Sequence, residues 1–145
     1  MDTNVVLRAI NKGDVQHPMV VAAIDRIRER GDSLVISVQV VAEFWNVATR
    51  PLDAKPPGVY GLSVHDAARQ LDVIEGLFVV LADPDGMYDT WRRVVYSYGV
   101  AGAHVHDARH AAWALAHGIG NILTFNVKDF RRFRGLAAVS PAELG

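Results

Sequence analysis

Asn121-Ile122-Leu123-Thr124-Phe125-Asn126-Val127-Lys128-Asp129-Phe130 holds the clearest architectural signal in the chain: a short apolar run that ends abruptly in polar residues. Asn121 to Thr124 is too short for a helix, is β-branched, and follows Gly120, so it reads as a buried strand. Two similar runs lie upstream, Leu34-Val35-Ile36-Ser37 and Leu77-Phe78-Val79-Val80-Leu81. Between and around them, helical spacing covers about 18–30, 38–50, 63–75, 86–98 and 104–117, the third opened by Ser63 with Asp66 three residues on. Strands therefore alternate with helices. Because the strands are apolar throughout rather than at every second residue, the pattern predicts an α/β fold: a parallel sheet between helices, joined by right-handed crossovers. Ligand sites in such sheets form beyond the carboxyl ends of the strands.

The 145 residues suit one domain, 1–145, with a single sizeable core. The segment Pro51–Leu62, with three prolines and two glycines, reads as a long loop between helices rather than a boundary. Cysteine is absent, which removes disulfides and thiolate metal sites and makes a cytoplasmic address the expectation. The N-terminal stretch carries an acid at position 2 and no secretory pattern, and no apolar run is long enough to suggest a membrane span. A net charge of −1 gives no general attraction to nucleic acid, so any such binding must come from local basic clusters.

Four acids fall where this architecture would gather them: Asp2, Glu43, Asp107 and Asp129. Each also has a local explanation. Asp2, Thr3 or Asn4 can cap a first helix beginning near Val5. Glu43 shares a helical stripe with Gln39, Asn46 and Arg50, which could be a wet face; yet the rest of that helix is apolar, as for a mostly buried helix whose polar seam meets a small site. Asp107 lies in a helix's first turn, where the macrodipole favours an anion. Asn126 and Asp129 have capping-box spacing. Jointly the acids say more than singly, because converging carboxylates repel one another unless a cation sits among them, and an all-oxygen set suits Mg²⁺ or Mn²⁺ better than zinc.

The succession D-T-N at Asp2–Asn4, A-E at Ala42-Glu43, H-D-A-x-x-A-A from His106 and T-x-N-x-x-D-F from Thr124 resembles the PIN-domain family over nearly the whole chain, and within it the VapC-type toxins of toxin–antitoxin pairs. The resemblance implies a three-layer α/β sandwich around a mainly parallel sheet of about four to five strands flanked by helices. It implies that Asp2, Glu43, Asp107 and Asp129 are metal ligands of a Mg²⁺- or Mn²⁺-dependent ribonuclease, with Asn4, Ser37, Thr124 and Asn126 lining the pocket. It further implies RNA cleavage to 5′-phosphate and 3′-hydroxyl ends, a homodimer, and a VapB-type antitoxin partner. The family ordinarily places a short apolar strand ahead of the first aspartate, whereas only Met1 precedes Asp2, so the expectation is a start upstream of Met1. A chain beginning at Met1 is then expected to be less soluble and to melt lower than one extended by a few residues, since an absent central strand exposes sheet edges.

Among the basic residues, Arg131, Arg132 and Arg134 adjoin the proposed site and are candidate RNA contacts, while Arg26, Arg28, Arg30, Arg92 and Arg93 read as solvated faces. His104, His106 and His110 are assigned to helix surface and packing, because no third zinc ligand of matching spacing is evident and an HD-type phosphohydrolase would be all-helical. Tyr60, Tyr88 and Trp91 are packing residues first and contact surfaces second. Two rival functions are a receiver-like signalling module, which would need its acids at strand ends, and a PIN-like scaffold that binds RNA or a partner without cutting.

Overall fold

The computed structural model describes residues 1–55 and 60–144, so part of the Pro-rich loop, residues 56–59, lies outside the description. In chain order the elements are α1 (Thr3–Ile10), α2 (His17–Glu29), β1 (Val35–Ser37), α3 (Val38–Thr49), α4 (Val64–Leu77), β2 (Val79–Leu81), α5 (Met87–Ser97), α6 (His104–Ala116), β3 (Asn121–Leu123), α7 (Val127–Phe130) and β4 (Ala137–Val139), then a 3-10 turn, Pro141–Glu143.

The strands sort the core. β1 pairs with β2 and β3 with β4, both in parallel, with Ile36 opposite Val80 and Leu123 opposite Val139. Successive residues of a strand face opposite ways. Ile36, Val80, Leu123 and Val139 accordingly join the apolar cluster of α1–α4, built on Val5, Val6, Val20, Ile24, Phe44 and Ile74. Their neighbours Val35, Leu81, Ile122 and Ala138 join a second cluster under α5, α6 and α7, built on Val94, Trp113, Phe130 and Phe133. Strands between two helical layers are the three-layer arrangement expected.

The sheet differs from the expected single one. It consists of two parallel pairs, and among the described residues the backbone of Met1 and Asp2 bridges them: the Met1 nitrogen donates to Val35 O at 2.9 Å and the Asp2 N–H donates to Leu123 O at 3.0 Å. Beside this bridge a cavity of about 310 Å³ separates the pairs, lined by Met1, Leu34, Val35, Trp113, Ile122 and Leu123 among others.

Local chemistry sets the helix starts. Asp2 is extended and its side chain accepts from the Thr3 N–H, so α1 begins two residues before Val5. Ser37 ends β1 and accepts from the Val40 N–H, turning strand directly into α3. Ser63 caps α4 by accepting from the Asp66 N–H. The capping-box reading of Asn126 and Asp129 is corrected: the Asn126 side chain makes no cap bond, and the Asp129 N–H donates to the Asn126 backbone carbonyl instead. α3 is also less buried than its composition implies. Val40, Phe44 and Ala48 are inside, whereas Val38 is half exposed and Ala42 is exposed, because one narrow face suffices to reach α1 and α4.

Candidate metal centre

Asp2 is the most tightly held of the four acids. As the cap of α1 it gives Oδ1 to the Thr3 N–H at 2.7 Å, and its Oδ2 accepts from Asn4 Nδ2 at 2.7 Å and from Thr124 Oγ1 at 2.6 Å. Thr124 follows β3 directly, so the strand's end and the helix's start fix one carboxylate from both sides. The Asn126 N–H donates to Thr124 Oγ1 at 2.9 Å and the Phe125 N–H to Asn4 Oδ1 at 3.3 Å, which holds the two supporting side chains in turn. Asn4 and Thr124 thus lie in the site, and Asn126 supports it through its backbone.

Glu43 reaches the same place from the middle of α3. Its Oε2 accepts from Thr3 Oγ1 and stands 3.2 Å from His110 Nε2, while its Oε1 accepts from Gln39 Nε2 at 2.7 Å. Gln39 is anchored in turn by Arg109 Nη1 at 2.9 Å, and Arg109 Nη2 donates to Asp83 Oδ2 at 2.6 Å. Burial works to raise the Glu43 carboxyl, but the His110 ring, through its hydrogen bond and charge, together with the Thr3 and Gln39 donors, outweighs it and holds the group at about 2.

Asp107, in the first turn of α6, moves the other way. Its carboxyl is raised by burial and by the negative charges of Asp129 and Asp2, against the opposing pull of His104, whose Nδ1 is 3.4 Å from Asp107 Oδ2, and of His110. Asp107 therefore feels two of the other acids. Ligand atoms of Asp2, Glu43 and His110 all lie within 4.8 Å of one another, and so do those of His104, Asp107 and Asp129.

Most of the site was legible in sequence, but not all. Ser37 is buried and occupied as the cap of α3 rather than as a partner of any of the four acids. Arg131 and Arg134 are exposed, and Arg132 lies over the Phe133 ring at 5.8 Å. As the assignment to surface and packing expects, His104 is exposed and His110 is buried, and each also meets an acid: His104 Nδ1 is 3.4 Å from Asp107 Oδ2 and His110 Nε2 is 3.2 Å from Glu43 Oε2. The companion of His110 is Glu43 on α3, which spacing along α6 cannot reveal, whereas that of His104 is Asp107 on the same helix. The available signal was the i, i+3, i+6 series His104, Asp107, His110, which puts an acid between two imidazoles on one helix face. Tyr88 and Trp91 pack on each other with ring centroids 6.1 Å apart, Tyr88 remaining largely exposed beside Asp83 and Arg109.

Helices on both sides of parallel strand pairs, with acids brought in from the start of α1 and from α3, α6 and α7, define an α/β protein with an acidic cluster. Residues 1–136 match the family model of the PIN domain, and the chain belongs to that family. A solved structure of VapBC2 from Rickettsia felis, bound to a DNA fragment from their promoter, contains a chain similar in fold: the TM-score is 0.66 at 19% identity, covering 96% of this chain and 95% of that one. None of the curated proteins matches the sequence.

Proposed function

We propose that this chain is a divalent-metal-dependent ribonuclease that acts as the toxin of a toxin–antitoxin pair. The observation that carries the reading is the gathering of four acids: carboxylate oxygens of Asp2 and Glu43 lie within 4.8 Å of each other, as do those of Asp107 and Asp129, and the Asp107 carboxyl is raised by burial and by the charges of Asp129 and Asp2, a cost that a cation removes. The donor set fits Mg²⁺ or Mn²⁺, with Asp2, Glu43, Asp107 and Asp129 as the residues that would hold the ion. When bound, such an ion supplies a water of lowered pKa and stabilises the leaving oxygen of a phosphodiester.

The chain's own residues do the rest. Thr124, Asn4 and the Thr3 N–H hold the Asp2 carboxylate in one orientation. Thr3, Gln39 and His110 keep Glu43 ionised. Arg131, Arg132 and Arg134, next to Asp129 in sequence, supply charge for the RNA backbone, which is the term that dominates nucleic-acid affinity. The products are 5′-phosphate and 3′-hydroxyl ends. A VapB-type antitoxin as partner is supported by the likeness to a chain of the Rickettsia felis VapBC2 structure, and the exposed apolar residues Val38 on α3 and Val64 and Val73 on α4 provide surface for a partner or a second copy. The domain reading, 1–145 as one unit in the cytoplasm, belongs to the same proposal; among the described residues no helix is long and apolar enough to cross a membrane.

The test is incubation of the purified chain with total cellular RNA, with Mg²⁺, with Mn²⁺ and with a chelator, followed by end-group analysis. Fragments with 5′-phosphates that form only with metal are expected. Intact RNA under all three conditions, from folded protein, would favour a non-cutting scaffold.

A further inference from the structure

His104, Asp107 and His110 are three residues apart in turn on α6, so they fan over about 120° of the helix surface with the acid in the middle. Each imidazole leans to a different pair of carboxylates. His110 meets Asp2, from the start of α1, and Glu43, from α3. His104 meets Asp107, on its own helix, and Asp129, from α7. The centre therefore has two adjoining pockets, each with two carboxylate oxygens and one ring nitrogen within 4.8 Å of one another. Asp107 and His110 stand three residues apart on α6, so one helix contributes to both pockets.

Packing does not explain His110. It is 5% exposed, on a stretch of α6 whose other buried residues are Ala108, Ala111, Ala112, Trp113 and Ala114, and its Nε2 points at Glu43 Oε2. An apolar side chain would fill that position without bringing a ring nitrogen to two acids. Ring nitrogen matters because Mg²⁺ takes hard oxygen donors, whereas first-row transition ions also accept imidazole, Mn²⁺ least strongly and Fe²⁺, Ni²⁺, Cu²⁺ and Zn²⁺ more so.

We propose that His110 with Asp2 and Glu43, and His104 with Asp107 and Asp129, form mixed nitrogen–oxygen metal pockets that favour first-row transition ions over Mg²⁺, a preference for which Mn²⁺ serves as the spectroscopic probe. The inference rests on the reading that these acids hold a metal, and adds to it that two histidines are ligands and set the ion's identity.

The experiment uses the full chain and two readouts other than cleavage. Pulsed electron paramagnetic resonance of bound Mn²⁺ reports ¹⁴N coupling from a ligated imidazole in the wild-type protein, so its result does not depend on any variant folding. Calorimetric titration with Mn²⁺ and with Mg²⁺ then compares wild type, His110→Gln and the more exposed His104→Asn. Expected are nitrogen coupling in the wild type and a fall in the Mn²⁺-to-Mg²⁺ affinity ratio of about tenfold or more in a folded variant. Bound Mn²⁺ with an oxygen-only shell, or an affinity ratio unchanged in both variants, would overturn the inference while leaving a ribonuclease reading intact. No binding of either ion by the wild type would overturn both.

Discussion

Asp107 and Glu43 show how neighbours set the chemistry of a carboxylate. Glu43, with three donors around it, is held at about 2, whereas Asp107, partly buried and with two acids near it, is raised. The signs have opposite consequences. A carboxyl lowered on folding stabilises the native state above its unfolded pKa and loses that contribution as pH falls through the folded value. Glu43 therefore contributes at pH 5 and stops contributing between about 4.5 and about 2, so Glu43→Gln should show a shallower loss of urea stability over that acid range than wild type; parallel curves would rule this out. A carboxyl raised on folding costs stability once ionised. Asp107→Asn is accordingly expected to melt higher than wild type at pH 7 in a chelator, and a lower melting temperature would show that the crowding has been misjudged. Thr124→Val removes a buried donor from Asp2 and should cost about 1–3 kcal/mol in urea unfolding. All four acids could be picked out by residue type and position. For the histidines the spacing of His104, Asp107 and His110 on α6 was the one available signal, and it does not reach the partner of His110, Glu43, 67 residues away.

At the level of elements, long periodic helices were legible and short strands only in part. The helices expected at about 18–30, 38–50 and 104–117 appear as His17–Glu29, Val38–Thr49 and His104–Ala116, since an apolar face repeated over several turns is a strong signal. Leu77 and Phe78, expected in a strand, instead end and cap α4, because the Phe78 N–H still donates to Ile74 O. β4 was not anticipated: Ala137-Ala138-Val139 is a three-residue run, and it becomes a strand only by pairing with β3. Ser37 illustrates one residue serving two elements, last in β1 and cap of α3. Ser37→Ala should cost about 1 kcal/mol, read as a lower denaturant midpoint, with RNA cleavage retained; loss of cleavage in a folded variant would mean that Ser37 also belongs to the acidic site.

Over the whole molecule, the strands divide two apolar clusters and carry the acids to one end, which was foreseeable from alternation of strand and helix. The way the two strand pairs join was not. Their connection through two backbone bonds of Met1 and Asp2 is a tertiary fact with no signature in composition, and it ties Asp2 to the centre of the fold. Site and fold are coupled for this reason, and a divalent ion that binds only the native state should raise thermal stability, by about 2.7 kcal/mol at a hundred times its Kd. The central claim is that the four acids form a metal centre that cuts RNA. It is tested most directly by comparing RNA cleavage by wild type and Asp107→Asn, both confirmed as folded, at saturating Mn²⁺. Since loss of a residue that merely supports a metal ligand costs about 10–100-fold, loss of a ligand itself is predicted to lower cleavage by at least about a hundredfold. Equal cleavage by the two proteins, or none by metal-loaded wild type over a broad panel of RNAs, would contradict the account.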